Sequence, residues 1–424
     1  MPLSPIRVIT SVNVDPLQLD LGFEDADQQR AIPQAIDLNF QGADTQYSTH
    51  SIHPYVAAIN PPLARTLITH YVPQGETVLD PFCGGGGVLV EAILAGREAV
   101  GCDVNPLAAI ISRVKTRHLP LRETMPEYRR ILDCVRSRVR LSDEDIPEVI
   151  RYWYKEETLA PLRALQVAVA GTTSEAVREL FQVVLSATAR DVMLTYRGEI
   201  RLRRLQGEDL EKFNPVVMAA FRKRAEVAMG RVSQLPIDCS ARVLLRDAKE
   251  LGQEEICHSI VSSPPYADDT NGVGYFQFSR NMLYWIGVSL DDQKRHRQDF
   301  LGSRNIKPSE TIQVPSKTLR QVLAVIEQRN SSHHKQALSF YQDYYRALAV
   351  MASVVAERVI IIIGDRVLSR TYINNGHITT EFMDTLGFGL EHYYTRELKK
   401  KRIANLGGDG GGTSVEHILV YRRP

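Results

Sequence analysis

The spacing of apolar positions changes along the chain, and the changes mark its organisation. Residues 1–46 are polar and acidic with few aromatic anchors, and read as an N-terminal arm. Glu76–Asp80 (ETVLD) is a short buried-strand pattern that ends on an acid. A glycine run follows, then Val88–Ala95 (VLVEAILA) with helical character. Glu98–Asp103 (EAVGCD) is a second strand ending on an acid. Pro106–Lys115 suits a helix with Asn105 as its N-cap and proline in the first turn. Strand, glycine turn, helix, strand and helix in succession begin a doubly wound α/β sheet.

Between residues 120 and 235 that rhythm stops. Glu127–Leu141, Glu156–Ala170 and Ser174–Arg190 carry apolar residues at helical spacing, and Glu208–Met229 continues the pattern with a break at Pro215. This stretch is expected to be a helical insertion. Strand patterns return at Ala241–Arg246 and Ile256–Ser262. Residues 291–337 are polar and basic, which predicts a second, loop-like insertion. Ser339–Ala356 reads as a helix, Arg358–Gly364 (RVIIIIG) as a central strand, Ile378–Leu386 as a helix and Glu416–Arg422 (EHILVYR) as a closing strand. Gly407–Gly412 (GGDGGG) is expected to be a loop.

Composition narrows the class without naming a function. The chain has 424 residues, 44% hydrophobic and 24% charged, an ordinary globular mix that excludes fibrous or wholly disordered classes. The net charge of +1 is uneven: residues 1–110 hold 12 acidic residues against 4 basic ones, a net −8, which leaves +9 on the remainder. Such asymmetry is a composition-level hint of contact with nucleic acid. Basic clusters stand at Arg197–Arg204, Phe221–Arg224, Lys294–Arg297 and Arg396–Arg402, and at least two of them are expected to meet phosphates. The five cysteines show no CxxC and no zinc-site spacing, so a reduced cytoplasmic compartment and no metal are expected. His333 and His334 read as loop residues, with nothing to complete a metal site. The N-terminus has no secretory pattern, and apolar runs such as Val359–Ile363 are of strand length, so no membrane span is expected.

Two motifs carry candidate chemistry. In VLDPFCGGGG, Val78–Gly87, an acid closes a strand and glycines allow a sharp turn and close approach to a ligand. Asp103, at the end of the next strand, is where an acid accepts hydrogen bonds from a ribose diol. The spacing differs from GxGxxG and there is no GK[ST], which disfavours a phosphate-cradling loop. The second motif is Ser262–Tyr266 (SSPPY), directly after a strand. Two prolines stiffen the turn and remove backbone donors, leaving carbonyls and the Ser263 hydroxyl as acceptors beside the Tyr266 ring. That combination suits a planar substrate bearing an exocyclic amine.

DPFCGGGG resembles the DPFCGSGT motif of S-adenosylmethionine-dependent DNA amino-methyltransferases, and SSPPY resembles their [DNS]PP[YFW] motif, in the serine form of the cytosine-N4 enzymes. SIHPYVAAINPPLARTLI, residues 51–68, looks like the segment preceding their cofactor loop, and Glu416–Arg422 looks like their closing strand. The resemblance spans residues 47–119, 236–290 and 338–424. It implies a Rossmann-like class I methyltransferase core: a doubly wound, mostly parallel, seven-stranded sheet with a large helical insertion. Either insertion is then a candidate DNA-recognition region.

The resemblance also implies a division of labour. Asp80, Phe82, Gly84 and Gly86 wrap the methionine and sugar of S-adenosylmethionine, and Asp103 takes the ribose hydroxyls. Asp247, with Ala248 beside it, faces the adenine. His53, Pro54, Pro81, Cys83, Val104 and Asn105 complete the cofactor-binding set, although Cys83 also reads as a packing thiol with no histidine base beside it. Ser263 and the Pro264 carbonyl accept from the target amine, Pro265 stiffens the turn, and Tyr266 stacks on the base. Gly86–Gly87 departs from the usual Ser or Ala and Thr, losing a hydroxyl. The implied activity is methyl transfer to cytosine N4 in double-stranded DNA after base flipping, and a companion restriction endonuclease is a further partner the resemblance allows. Adenine-N6 methylation of DNA, guanine-N2 methylation of RNA and a catalytically dead DNA-binding module are the rival readings. A C5-methylating enzyme would need a nucleophilic cysteine in a PCQ context, which is absent.

Overall fold

The computed structural model describes residues 37–137, 145–196, 202–237, 240–266, 275–302, 313–398 and 412–424. Most of the N-terminal arm, Cys239, residues 407–411 of the glycine-rich stretch, and residues 197–201 and 399–402 of two basic clusters lie outside the described residues.

The elements run α1 (Pro61–Tyr71), β1 (Thr77–Asp80), α2 (Gly87–Leu94), β2 (Glu98–Asp103) and α3 (Pro106–Thr116). Then come α4 (Leu121–Ser137), α5 (Glu148–Arg151), α6 (Glu156–Ala170), α7 (Glu175–Val192), α8 (Gly207–Lys212) and α9 (Val217–Val232). β3 (Ala241–Leu245), β4 (Cys257–Ser262), α10 (Tyr275–Trp285), α11 (Leu290–Arg297), α12 (Lys317–Arg329) and α13 (Ser331–Val354) follow. The chain closes with β5 (Val355–Leu368), β6 (Thr371–Ile373), α14 (Asn375–Thr385), β7 (Gly389–Glu397) and β8 (Gly412–Arg422).

Seven strands lie in the order β3-β2-β1-β4-β5-β8-β7, and the short β6 pairs with the end of β5. The pairs from β3 through β5 are parallel. β8 is antiparallel to both neighbours. This is the doubly wound, mostly parallel sheet that the resemblance implies. The order reverses at β1/β4, so the crevice beyond the carboxyl ends of these two strands is where an open α/β sheet binds ligands. Both sequence motifs begin at that edge.

Apolar burial explains the layers. β5 buries Val359–Ile363 on both faces, as a central strand must when helices cover both sides. One face packs α1 and α2 through Leu63, Leu67, Leu89 and Ile93. The other packs α12, α13 and α14 through Leu323, Tyr344, Leu348 and Phe382. The helical region after α3 has its own core, centred on Phe181 and Phe221, and this core includes Leu107, Ile111 and Val114 of α3. The insertion is thereby fused to α3, a helix that also packs on the sheet. α10 joins the same core through Phe278, Met282 and Trp285.

Two stretches differ from expectation. Residues 291–337, read as a polar loop, hold α11 and α12 and the start of α13. In α12 only Leu319, Leu323 and Ile326 are buried, a narrow stripe among charged residues that composition averages away. His333 and His334 accordingly sit on α13 rather than in a loop, with His333 Nδ1 2.8 Å from Ser369 Oγ. β7 (GLEHYYTRE) gave no strand signal because it is an edge strand whose residues are mostly part-exposed and polar.

Candidate active site

The ends of β1, β2, β3 and β4 open into one cleft with about 840 Å³ of empty space. Asp80, Pro81, Phe82, Cys83, Gly84, Asp103, Val104, Asp247, Ala248, Ser263 and Pro265 line it. Eleven expected positions, scattered from residue 80 to residue 265, are thus brought to one surface by the strand order.

The two strand-end acids organise the loop. Asp103 Oδ2 accepts from the Gly84 amide (2.9 Å) and Oδ1 from the Asn105 amide (2.8 Å), which ties the glycine turn to β2. Asp80 Oδ1 accepts from the Phe82 amide (3.1 Å) and from Ser262 Oγ (2.7 Å), which ties the first motif to the second. Burial pushes the Asp80 carboxyl up to about 7 and that of Asp103 up to about 6, against the partial relief of those hydrogen bonds. Asp247 lies across the cleft, its Oδ1 accepting from the Lys249 amide (2.9 Å).

Other expected residues support the cleft without lining it. Gly86 has φ +76°, and a Cβ there would stand 2.8 Å from Ser112 Oγ of α3, so only glycine permits this turn against α3. Asn105 caps α3 at the Leu107 amide (3.1 Å) and donates to Tyr55 Oη (3.0 Å) and Ser279 Oγ (2.7 Å). His53 is buried away from the cleft: Nδ1 donates to the Pro54 carbonyl (2.6 Å) and Nε2 accepts from Ser186 Oγ (2.9 Å). Burial holds its imidazole down at about 3, so it is neutral. It stands at the joint between the pre-loop segment and α7. Cys83 does line the cleft, but burial drives its thiol well above its ordinary range, which leaves it unsuited to act as a nucleophile.

Pro264 is buried behind Ser263, and Tyr266 lies beside the cleft rather than on its wall. The Tyr266 ring covers Gly364 of β5, where a Cβ would come within 2.9 Å of it. Its hydroxyl donates to Glu416 Oε1 (2.8 Å) and stands 3.2 Å from Ser263 Oγ.

Sequence reasoning missed Ser262, Tyr55, Arg246 and the Asp299–Leu301 stretch, all of which touch Asp80 or line the cleft. Ser262 required knowing that β4 lies next to β1, and Asp299–Leu301 carries no local signal. The basic clusters are partly spent inside the protein. Arg224 pairs with Asp191 (2.7 Å) and Arg396 with Glu416 (2.6 Å). On α11, Lys294 pairs with Asp291 (2.9 Å) and Arg295 with Asp292 (2.6 Å). Among the described residues no His, Cys, Asp or Glu group is arranged to hold a metal ion, and no helix is long and apolar enough to cross a membrane.

Comparison with known proteins covers the same regions. The family described as DNA methylase matches residues 30–112, which hold the DPF loop and Asp103. The type II methyltransferase M.MvaI of Kocuria varians is 26% identical over 399 residues, 86% of this chain and 87% of that protein. The tRNA (guanine(10)-N2)-dimethyltransferase of Methanocaldococcus jannaschii is 50% identical over only 46 residues, 11% of this chain and 13% of that one. Among solved structures, magnesium protoporphyrin IX methyltransferase from Synechocystis covers 86% of this chain and 77% of its own at 8% identity, with a TM-score of 0.31, too low to bear on the fold. The match that spans nearly the whole chain and the match that covers its first motif are both to DNA methyltransferases, and to that family the chain is similar.

Proposed function

We propose that the chain transfers a methyl group from S-adenosylmethionine to the exocyclic N4 of cytosine in double-stranded DNA, in a prokaryotic cytoplasm. The observation that carries this reading is that Ser263 opens into the same cleft as Asp80, Asp103 and Asp247. An amine acceptor and a nucleoside-type site therefore share one space.

The residues fit the cofactor. Asp103 is a part-buried acid with one amide on each oxygen, so each retains a lone pair for a ribose hydroxyl. The elevated acids at 80 and 103 favour a ligand that brings hydroxyl donors and positive charge. Phe82, Val104, Ala248 and Leu301 supply apolar walls for a purine, with Asp247 in reach of its amine. The cofactor supplies an electrophilic methyl on a sulfonium.

The chain's own part is positioning. Ser263 and the Pro264 carbonyl accept from the N4 protons and turn the nitrogen lone pair, otherwise delocalised into the ring, toward the methyl carbon. No thiolate is needed, in keeping with the inert Cys83. A base inside a duplex must first be flipped out of the stack. Target reading falls to the helices of residues 120–235 or to residues 291–337. In support, Arg203 is exposed and stacked on Tyr196 (4.1 Å), and Arg204 lies on Tyr152 (4.7 Å).

Serine at 263 supports cytosine over adenine, and the brief reach of the tRNA-enzyme match supports DNA over RNA. Base-by-base reading of methylation in genomic DNA and RNA from a host expressing the protein tests the proposal. N4-methylcytosine in a short fixed context is expected. N6-methyladenine would reassign the base, and methylated RNA beside unmodified DNA would sink the DNA reading.

A further inference from the structure

Glu416 takes no part in the motifs, yet it ends a buried chain of hydrogen bonds that starts at the cleft. In the sheet it is paired with Gly364 of β5 on one side and Arg396 of β7 on the other. Gly364 leaves the space through which the Tyr266 ring reaches it. Tyr266 Oη donates to Glu416 Oε1 (2.8 Å), and Arg396 Nε donates to Glu416 Oε2 (2.6 Å). Glu416 and Arg396 are 7% and 8% exposed, so each is the other's buried ionic partner. The Asn375 side chain donates to the Gly364 carbonyl (2.7 Å) and approaches that of Tyr266 (3.4 Å), which holds the turn itself.

An ionised carboxylate only accepts, and a phenol has one proton. Tyr266 has given that proton to Glu416, so at 3.2 Å its oxygen meets Ser263 Oγ as an acceptor. With the phenol proton committed to Glu416, the Ser263–Tyr266 hydrogen bond can run only from Ser263, and the serine lone pairs are left for the cleft. Run in the opposite sense, the same chain would aim the Ser263 proton at an incoming amine.

We infer that Glu416, backed by Arg396, is a positioning residue that sets the direction of the Ser263–Tyr266 hydrogen bond and so makes Ser263 an acceptor for the target amine. The inference rests on the amino-methyltransferase reading of the cleft. It gives the closing strand a role in catalysis through Tyr266, without contact with either substrate.

Glu416→Gln reverses the chain while changing little in shape. Arg396 Nε–H still demands an acceptor, so the amide oxygen turns to it and the amide NH₂ faces Tyr266. The phenol proton then turns to Ser263, and the Ser263 proton turns into the cleft. With S-adenosylmethionine and unmethylated genomic DNA, E416Q is expected to lose about 100-fold in kcat, while titrated cofactor affinity stays at the wild-type value. Tyr266→Phe leaves Ser263 free to rotate and is expected to lose less, about tenfold. Adding E416Q to Y266F should then cost nothing more, because the link is gone. Wild-type turnover by E416Q, loss of cofactor binding by E416Q, a larger loss in Y266F, or an undiminished E416Q penalty in the Y266F background would each overturn the inference. Failure of the functional reading looks different: the wild-type chain would then methylate neither genomic DNA nor the RNA supplied in a parallel assay.

Discussion

Asp80 and Asp103 are acids that the fold has made weak, and the weakness has a sign that can be measured. Both carboxyls rise from 3.8, to about 7 and about 6, because burial penalises the charged form. The folded chain therefore holds protons that the unfolded chain releases between about pH 4 and pH 7, so these two groups add stability toward acid and lose it as pH rises through their folded values. Cofactor binding runs the other way, since the charged acids are the ones that suit a cationic, diol-bearing ligand. Titrated S-adenosylmethionine affinity is expected to fall roughly tenfold from about pH 8 to about pH 6. Asp103→Asn should weaken binding at the upper pH and flatten the lower part of the profile. A pH-independent affinity in the wild type would remove both acids from the binding event. That Asp80, Asp103 and Ser263 stand at strand ends was legible in the sequence, and the structure brings them to one cleft. The hydrogen bond from Ser262 to Asp80 was not legible, because it depends on which strands are neighbours.

At the level of elements, the turn before α2 decides how α2 and α3 meet. Gly86 caps α2 in the left-handed region, and Ser112 of α3 fills the space where a side chain would begin. Gly86→Ala should cost on the order of 2 kcal/mol in stability, read as a lower melting temperature, and should weaken cofactor binding because Gly84 belongs to the same turn. Phe221 is the opposite case, fully buried in the insertion core and absent from the cleft. Phe221→Ala should cost about 4 kcal/mol of stability, with cofactor affinity held in whatever fraction stays folded. Equal loss of both would show that the insertion core and the cleft unfold as one unit. Elements with strong periods were legible in advance: Glu156–Ala170 matches α6, and Pro215 marks the gap between α8 and α9. The helices of residues 291–337 were hidden because α11 buries only Gln293 and α12 a three-residue stripe. A helix that contributes so little to the core leaves a weak mark on the sequence.

Across the described residues, the segment before residue 110 and the basic remainder meet at the cleft. The acidic part supplies the DPF loop and Asp103, and the basic part supplies Ser263 and the arginine-bearing insertions. Some of the cluster cations already have acidic partners: Arg396 in a buried pair, Arg224 in a part-buried one, and Lys294 and Arg295 in exposed pairs on α11. DNA affinity should still fall roughly tenfold or more between about 50 and about 200 mM salt, measured by fluorescence anisotropy of a labelled duplex. A flat response would mean that the remaining cations do not meet phosphates.

The walls of the cleft do not all come from the sheet. Tyr55 precedes α1, and Asp299–Leu301 follow α11, yet both line the space beside Asp80. Tyr55 is in turn packed edge-on against Phe278 of α10, a helix that shares its core with the insertion. The consequence is for engineering: in this chain the two insertions are not cassettes. Exchanging residues 120–235 for those of a relative would undercut α10 and Tyr55, and exchanging 291–337 would remove a wall of the cofactor cleft. Chimeras built to change sequence preference would lose cofactor affinity first, unless Tyr55, α10 and Asp299–Leu301 travel with the part that is grafted.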